Sequence, residues 1–419
     1  MVRRKLALVI LMVGICFCMV FANSSYAQPK KTVKIGLMYD LTGIYAPMGK
    51  DSQNAANTWL ELINAKGGIK GHPVEFVALD GQSDPTKATL VAKRLIEEEK
   101  VYAIAGSNGT GVALAVGPVC EKARIPYVTA TGSEIFEYTL KPQWSFRACT
   151  TGWELVDWGF GSLKLLDAKI NNIAVLYQGG AFGKALYDMA ARYAPMRGLK
   201  IVAVEKYDPT GTDFGAQISA LMKANPDAVC VYTADTAGPL AIKQMREMGM
   251  DKPVMTNGAI NMKAIREAFK DAFSIPRYTY SAAQHADVWW QLPKESPEYK
   301  AVAPIASRYE KKYNEQYGWF QQIAINDLAL IENAIDRGLK DDPNLLNRDV
   351  DTVRKVIRDK IETTKDLHTG GGILTLTPSN HNAVIPGTAM ATFHFEKGKI
   401  VYDPELSKVK LNPPPPVPQ

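Results

Sequence analysis

Twice along this chain, short apolar runs alternate with longer amphipathic ones, a rhythm that an α/β fold satisfies. The runs VKIGLMY (33–39), VEFVALD (74–80), VYAIAG (101–106) and IPYVTA (125–130) have the length and composition of buried strands. Helical patterns at roughly 50–65, 86–99 and 112–123 separate them, with Ala55, Trp59, Leu62 and Ile63 on one face. After WSFRACTTGWE a second series begins: strands at 172–178, 199–207, 227–233 and 252–257, with helices near 183–194, 214–224 and 238–248. The pattern predicts two doubly wound lobes, each with its own parallel sheet. Beyond residue 280 the rhythm stops, and helices near 298–317, 321–338 and 349–362 lead to short strands at 372–377, 389–396 and 399–402. The end, NPPPPVPQ, lacks the apolar residues needed for packing, so 406–419 reads as a frayed proline-rich tail.

Open α/β sheets bind ligands beyond the carboxyl ends of their strands. The loops to examine are therefore DLTGIYAPMG, GSNGTGV, TATGSE, QGGAFG, TADTAG and TNGAIN. GSNGTG sets Gly106, Gly109 and Gly111 between a strand and a helix, where exposed backbone N–H groups and the helix dipole favour an anion. Its order is G-x-x-G-x-G rather than the dinucleotide G-x-G-x-x-G, and no Lys-Ser/Thr pair closes it, which argues against a nucleotide-dependent oxidoreductase. Neutral donors suit a small carboxylate: Thr110 with the Gly109 backbone for one oxygen, Ser133 with the Thr131 backbone for the other. Thr110 and Ser133 are equally suited to cap helices. Tyr45 and Phe182 stand at strand ends as walls for an apolar group, whereas Trp289 and Trp290 suit interlobe or core packing.

Enzyme chemistry finds little footing. None of His72, His285, His368, His381 and His394 falls in a strand-end loop, and neither G-x-S-x-G nor H-E-x-x-H occurs. His381, in SNHN, reads as a solvent-facing turn residue rather than a metal ligand. Arg3, Arg4 and Lys5 precede an apolar run to Ala22, and small residues at Ser25–Ala27 complete a secretory signal peptide over 1–27. Without those three charges, 49 Lys and Arg become 46 against 43 Asp and Glu, a net of +3 with no basic cluster for nucleic acid. Cys120, Cys149 and Cys230 then remain, scattered in apolar stretches as buried thiols rather than metal ligands. Without the signal, no segment spans a membrane.

The stretches VKIGLMYDLTGIYAPMGKDSQNAA, INAKGGIKGHPVEFVALDGQSDPTKA, AIAGSNGTGVALAVGPVCEKARIPYVTATGS and VLYQGGAFGKAL resemble the periplasmic leucine/isoleucine/valine-binding protein family. These are type I solute-binding proteins that hand ligand to an ABC importer. The resemblance implies a three-crossing hinge, with 32–150 and 282–388 in lobe 1 and 151–281 and 389–405 in lobe 2. It implies a periplasmic, monomeric, non-enzymatic binder without cofactor or metal, whose partners are a small carboxylate ligand and an ABC permease. Thr110, Thr131 (through its backbone) and Ser133 match the family's carboxylate grip, Phe182 its second-lobe aromatic, and Tyr45 its cleft-lining loop. Amino-acid binders of the family carry an acidic residue in the loop matched here by Asn257-Gly258-Ala259, which has none; Asp235 is the substitute, or else a helix cap. Branched-chain or hydrophobic amino acids and related small carboxylates are the implied ligands, with aromatic acids, amides and urea, or a ligand-sensing receptor of the same fold, as alternatives.

Overall fold

The structure, a computed structural model, describes residues 30–261, 279–396 and 399–414; the signal segment 1–27 lies outside them. The apolar runs form two parallel sheets. In the first, β1 (Val33–Met38), β2 (Val74–Ala78), β3 (Ala103–Gly106), β4 (Tyr127–Thr129) and β5 (Ser145–Arg147) lie in the order β2-β1-β3-β4-β5. In the second, β6 (Asn172–Gln178), β7 (Lys200–Tyr207), β8 (Ala228–Tyr232), β9 (Val254–Asn257) and β10 (Thr279–Gln284) repeat that order as β7-β6-β8-β9-β10. A hairpin, β11 (Leu367–Thr369) and β12 (Gly372–Leu374), stands apart, and β13 (Met390–Glu396) and β14 (Lys399–Tyr402) extend the second sheet antiparallel beside β10.

Helices α1 (Ala46–Ala65), α2 (Pro85–Glu97), α3 (Thr110–Ala123) and α4 (Ile135–Leu140) connect the first sheet. Helices α5 (Gly152–Leu166), α6 (Ala181–Met196), α7 (Gly215–Lys223) and α8 (Ala237–Glu247) serve the second. The last three, α9 (Pro297–Tyr313), α10 (Trp319–Asp341) and α11 (Val350–Glu362), pack back on the first. Strand alternation divides the first lobe's core into two layers. Val33, Ile35 and Leu37 of β1 meet Trp59 of α1 and Leu328 of α10, while Met38 and Ile104 meet Leu95 of α2 and Val116 of α3.

The chain passes between sheets three times, and the passages are laced together. The first, at 148–151, ends in a capping box on α5: Glu154 N–H donates to Thr151 Oγ1 at 3.4 Å and Thr151 N–H to Glu154 Oε2 at 3.0 Å. Gln284, leaving β10 on the second passage, donates Nε2 to Thr150 Oγ1 at 3.3 Å. Gly387, on the third, donates its N–H to Glu154 Oε1 at 2.8 Å, and His285 N–H reaches Ala389 O at 2.9 Å.

Four details differ from the sequence reading. β5 and α5 occupy what reads as a joint, because α5 is buried on every side from Gly152 to Leu163, its polar Glu154, Asp157 and Ser162 included, so no amphipathic stripe marks it. His381 is not solvent-facing. It is buried, stacked on Phe146 at 4.4 Å, with Nδ1 3.0 Å from Ser145 O and Nε2 3.2 Å from Glu362 Oε1. The described part of the tail is not frayed. Tyr193 donates to Pro413 O at 2.7 Å, Asn412 N–H reaches Asp157 Oδ2 at 2.7 Å, and Val409 lies against Gly161. Trp290 is 40% exposed, so only Trp289 packs inside, its indole N–H on Glu310 Oε1 at 3.0 Å. The buried-thiol reading of Cys120, Cys149 and Cys230 agrees with the structure, where all three are free and buried.

Candidate functional site

In a sheet ordered 2-1-3-4-5, connections leave in opposite directions between the first and third strands, and a crevice opens there. Here the loops after β1 and β3 flank that point in one lobe and those after β6 and β8 in the other, and the two crevices face each other. Between them lies a cleft with an empty volume of about 400 Å³, part of it open to solvent. Lobe 1 contributes Tyr45, Asn108, Gly109 and Thr110; lobe 2 contributes Phe182, Ala234 and Asn257.

Each of these side chains is held by local chemistry. Tyr45 ends the β1–α1 loop, its N–H donating to Ser83 Oγ at 3.1 Å. Its ring lies so close to Gly109 that a Cβ there would sit 2.5 Å from Cε2, so the close approach requires glycine. Burial pushes the Tyr45 phenol up to about 12, with Asp40 of lobe 1 and Asp235 of lobe 2 adding to it. Gly109 is the N-cap of α3, so Thr110 begins the helix, where the first N–H groups have no intrahelical acceptor. Thr110 Oγ1 is 2.8 Å from Thr131 Oγ1 rather than on a backbone N–H, so it is not a cap.

The glycine-rich loop already faces one carboxylate of this chain. Asp40 is fully buried; its Oδ1 accepts the Ser83 N–H at 3.0 Å, its Oδ2 has no hydrogen-bond partner, and the backbone N–H groups of Asn108 and Gly109 favour its charged form. Burial raises its pKa to about 6 against those hydrogen bonds. Asn108, Gly109 and Thr110, at the start of α3, line the cleft.

The other expected residues divide. Thr131 and Ser133 are buried behind the wall rather than on it: Ser133 Oγ accepts the Ile135 N–H at 3.4 Å, and between them Gly132 reaches the cleft, 3.4 Å from Phe182 Cε2 measured at its notional Cβ. Arg147, 1% exposed, fixes this loop from below, with Nε on Glu137 Oε1 at 2.6 Å and Nη1 on Thr131 O at 3.3 Å. Asp235 is a cap and does not line the cleft. Its Oδ1 accepts Ala237 N–H at 2.9 Å and Gly238 N–H at 3.0 Å, and Tyr207 OH donates to it at 3.2 Å. Asn257 lines the cleft, but its amide is committed to Thr233, accepting N–H at 3.0 Å and donating to O at 2.8 Å.

Sequence reasoning missed the third wall. Trp319, Phe320 and Ile323, from the start of α10, close the cleft together with Met48 and Cys149. The aromatic pair after Gly318 is visible in the sequence, but nothing there says that this helix returns to the cleft. Trp319 and Phe320 stack at 5.7 Å, and the Trp319 N–H is held by Asp287 Oδ1 at 3.0 Å. No charged side chain among the described residues lines this cleft. Among the described residues no group of His, Cys, Asp and Glu is placed to hold a metal, and no helix is long and apolar enough to cross a membrane.

A family model described as periplasmic binding protein matches residues 32–399. A Leu/Ile/Val-binding protein homologue from Brucella melitensis is 28% identical over 56% of this chain, an alignment spanning 62% of that relative's length. Solved structures share the fold at TM-scores of 0.72 and 0.73. One is a branched-chain amino acid transporter substrate-binding protein from Streptococcus pneumoniae in complex with isoleucine, 24% identical over 89% of this chain and 100% of its own. The other is an ABC-transporter solute-binding protein from Rhodopseudomonas palustris in complex with benzoate, 18% identical over 88% and 95%. With the repeated 2-1-3-4-5 sheets, the laced crossings and the cleft between them, the match over most of its length establishes that the chain belongs to the periplasmic binding protein family.

Proposed function

We propose that the chain is exported to the periplasm, captures a small carboxylate with an apolar body between its lobes, and presents it to an ABC-type permease without transforming it. The observation that carries this reading is the cleft where the two crevices meet, with Thr110 and the α3 N-terminus at one side and aromatic walls on the others. A carboxylate at Thr110 gains hydroxyl and backbone donors and the favourable end of the helix dipole. An apolar body gains the surfaces of Tyr45, Phe182 and Phe320. Relatives named for isoleucine and benzoate complexes support the size class of ligand rather than its identity.

The test is a thermal-shift and calorimetric screen of residues 28–419 against benzoate, 4-methylpentanoate, leucine, isoleucine and urea. A ligand at a hundred times its Kd stabilises by about 2.7 kcal/mol, which is readily seen. Binding of at least one carboxylate is expected; a panel in which only urea binds, or nothing does, overturns the reading.

A further inference from the structure

Behind the aromatic wall of the cleft lies a second, smaller chamber of different chemistry. Its empty volume is about 220 Å³, and Asp51, Asn261, Asp287, Gln316 and Gln321 line it. Trp319 and Phe320 line both chambers. The acidic chamber and the uncharged one therefore share a wall made by these two aromatic residues.

Trp319 is fixed in that place from both lobes. Its backbone N–H is on Asp287 Oδ1, it is 4% exposed, and its indole N–H is buried without a hydrogen-bond partner. The six-membered ring lies on Gly258 of lobe 2: a Cβ there would stand 2.4 Å from Cε3 and 2.9 Å from Cζ3. The loop after β9 thus accepts an indole where it would otherwise carry a side chain. Of the two carboxylates that act on Tyr45, Asp235 is spent on the first turn of α8, and Asp40 is fully buried with its Oδ1 on the Ser83 N–H.

We propose that Trp319, seconded by Phe320, is the specificity-determining partition of the binding cleft: it keeps Asp51 and Asp287 away from the ligand, so that carboxylates without a cationic group are accepted and their ammonium-bearing counterparts rejected. This rests on the carboxylate reading above. The physical reason is that a buried ammonium without an anionic partner loses its hydration and gains no compensating charge. Leucine and 4-methylpentanoate differ in that group alone, so their affinity ratio reports it.

The experiment measures both ligands by calorimetry at pH 8 on the full mature chain, as wild type, Trp319→Phe and Trp319→Ala. Wild type is expected to bind 4-methylpentanoate at least ~100-fold more tightly than leucine, the scale on which an uncompensated charge is rejected. Trp319→Phe keeps a ring on Gly258 and is expected to retain the ratio within about threefold. Trp319→Ala joins the chambers, and the ratio is expected to fall at least ~10-fold as the ammonium gains Asp51 and the charge of Asp287, whose oxygens already accept N–H groups of Asn261, Trp319 and Gln284. Should Trp319→Ala fail to fold, Phe320→Ala opens the same wall and is read in the same way. Equal or tighter leucine binding by wild type overturns the partition while leaving the carboxylate reading intact, and so does an unchanged ratio in the alanine variant. Absence of binding by any carboxylate in the wild type overturns both.

Discussion

Thr110 is the residue on which the proposed grip turns. Replacing it with valine keeps the shape and removes the hydroxyl, and a hydrogen bond to a charged acceptor contributes about 1.5–3 kcal/mol. Carboxylate affinity is expected to fall about 10- to 150-fold by calorimetry; an unchanged Kd would remove Thr110 from the site. Asp51 gives a prediction that needs no ligand. Burial first, and then Glu315, raise its pKa from 3.8 to about 7, while Gln321 and Tyr309 hydrogen bonds oppose the shift. A raised carboxyl pKa means that the folded state binds the extra proton, so stability from this group is present below about pH 4 and is lost as pH rises to about 7. Asp51→Asn is expected to flatten that part of a melting-temperature profile and to stabilise the protein most at pH 8. A slope identical to wild type would show that Asp51 ionises normally.

At the scale of elements, the buried Arg147 at the end of β5 ties together parts that look unrelated in sequence. It pairs with Glu137 of α4 and donates to the carbonyls of Thr131 and, at 3.5 Å, Thr150, so it holds both a cleft loop and the first crossing. Glu134 joins the same cluster, its Oε1 accepting the Trp153 N–H at 2.7 Å, with burial raising its pKa to about 7 against the pull of Arg147. Removing one member of a buried pair typically destabilises by about 3–5 kcal/mol, because the remaining charge stays buried. Arg147→Met is expected to lose stability on that scale in urea denaturation; a loss below about 1 kcal/mol would show that water replaces the guanidinium. The strands and amphipathic helices of both series are legible from their periodicity. β5 and α5 are not, since a three-residue strand carries too little pattern and a helix buried on all sides has no stripe.

At the scale of the whole molecule, Gly258 reports on how the lobes meet. A methyl group there would stand 2.4 Å from the Trp319 ring and 3.0 Å from the Ala283 Cβ. Gly258→Ala is therefore expected to weaken every ligand of the cleft together, and to leave the ligand-saturated protein more open by small-angle scattering. Unchanged binding with an unchanged radius would mean that the ring moves aside freely. Local pattern determined the two α/β series and the loops that face the cleft, because strand period and helix period act within a few residues. Only the tertiary structure decided which residues wall the cleft. The chain buried Asp40 beside the GSNGTG loop, set Asp235 to capping a helix, and brought Trp319 back from 210 residues beyond Gly109 to close the cleft. Contacts between elements so far apart are selected by burial and packing of the whole core, and no window of sequence contains them.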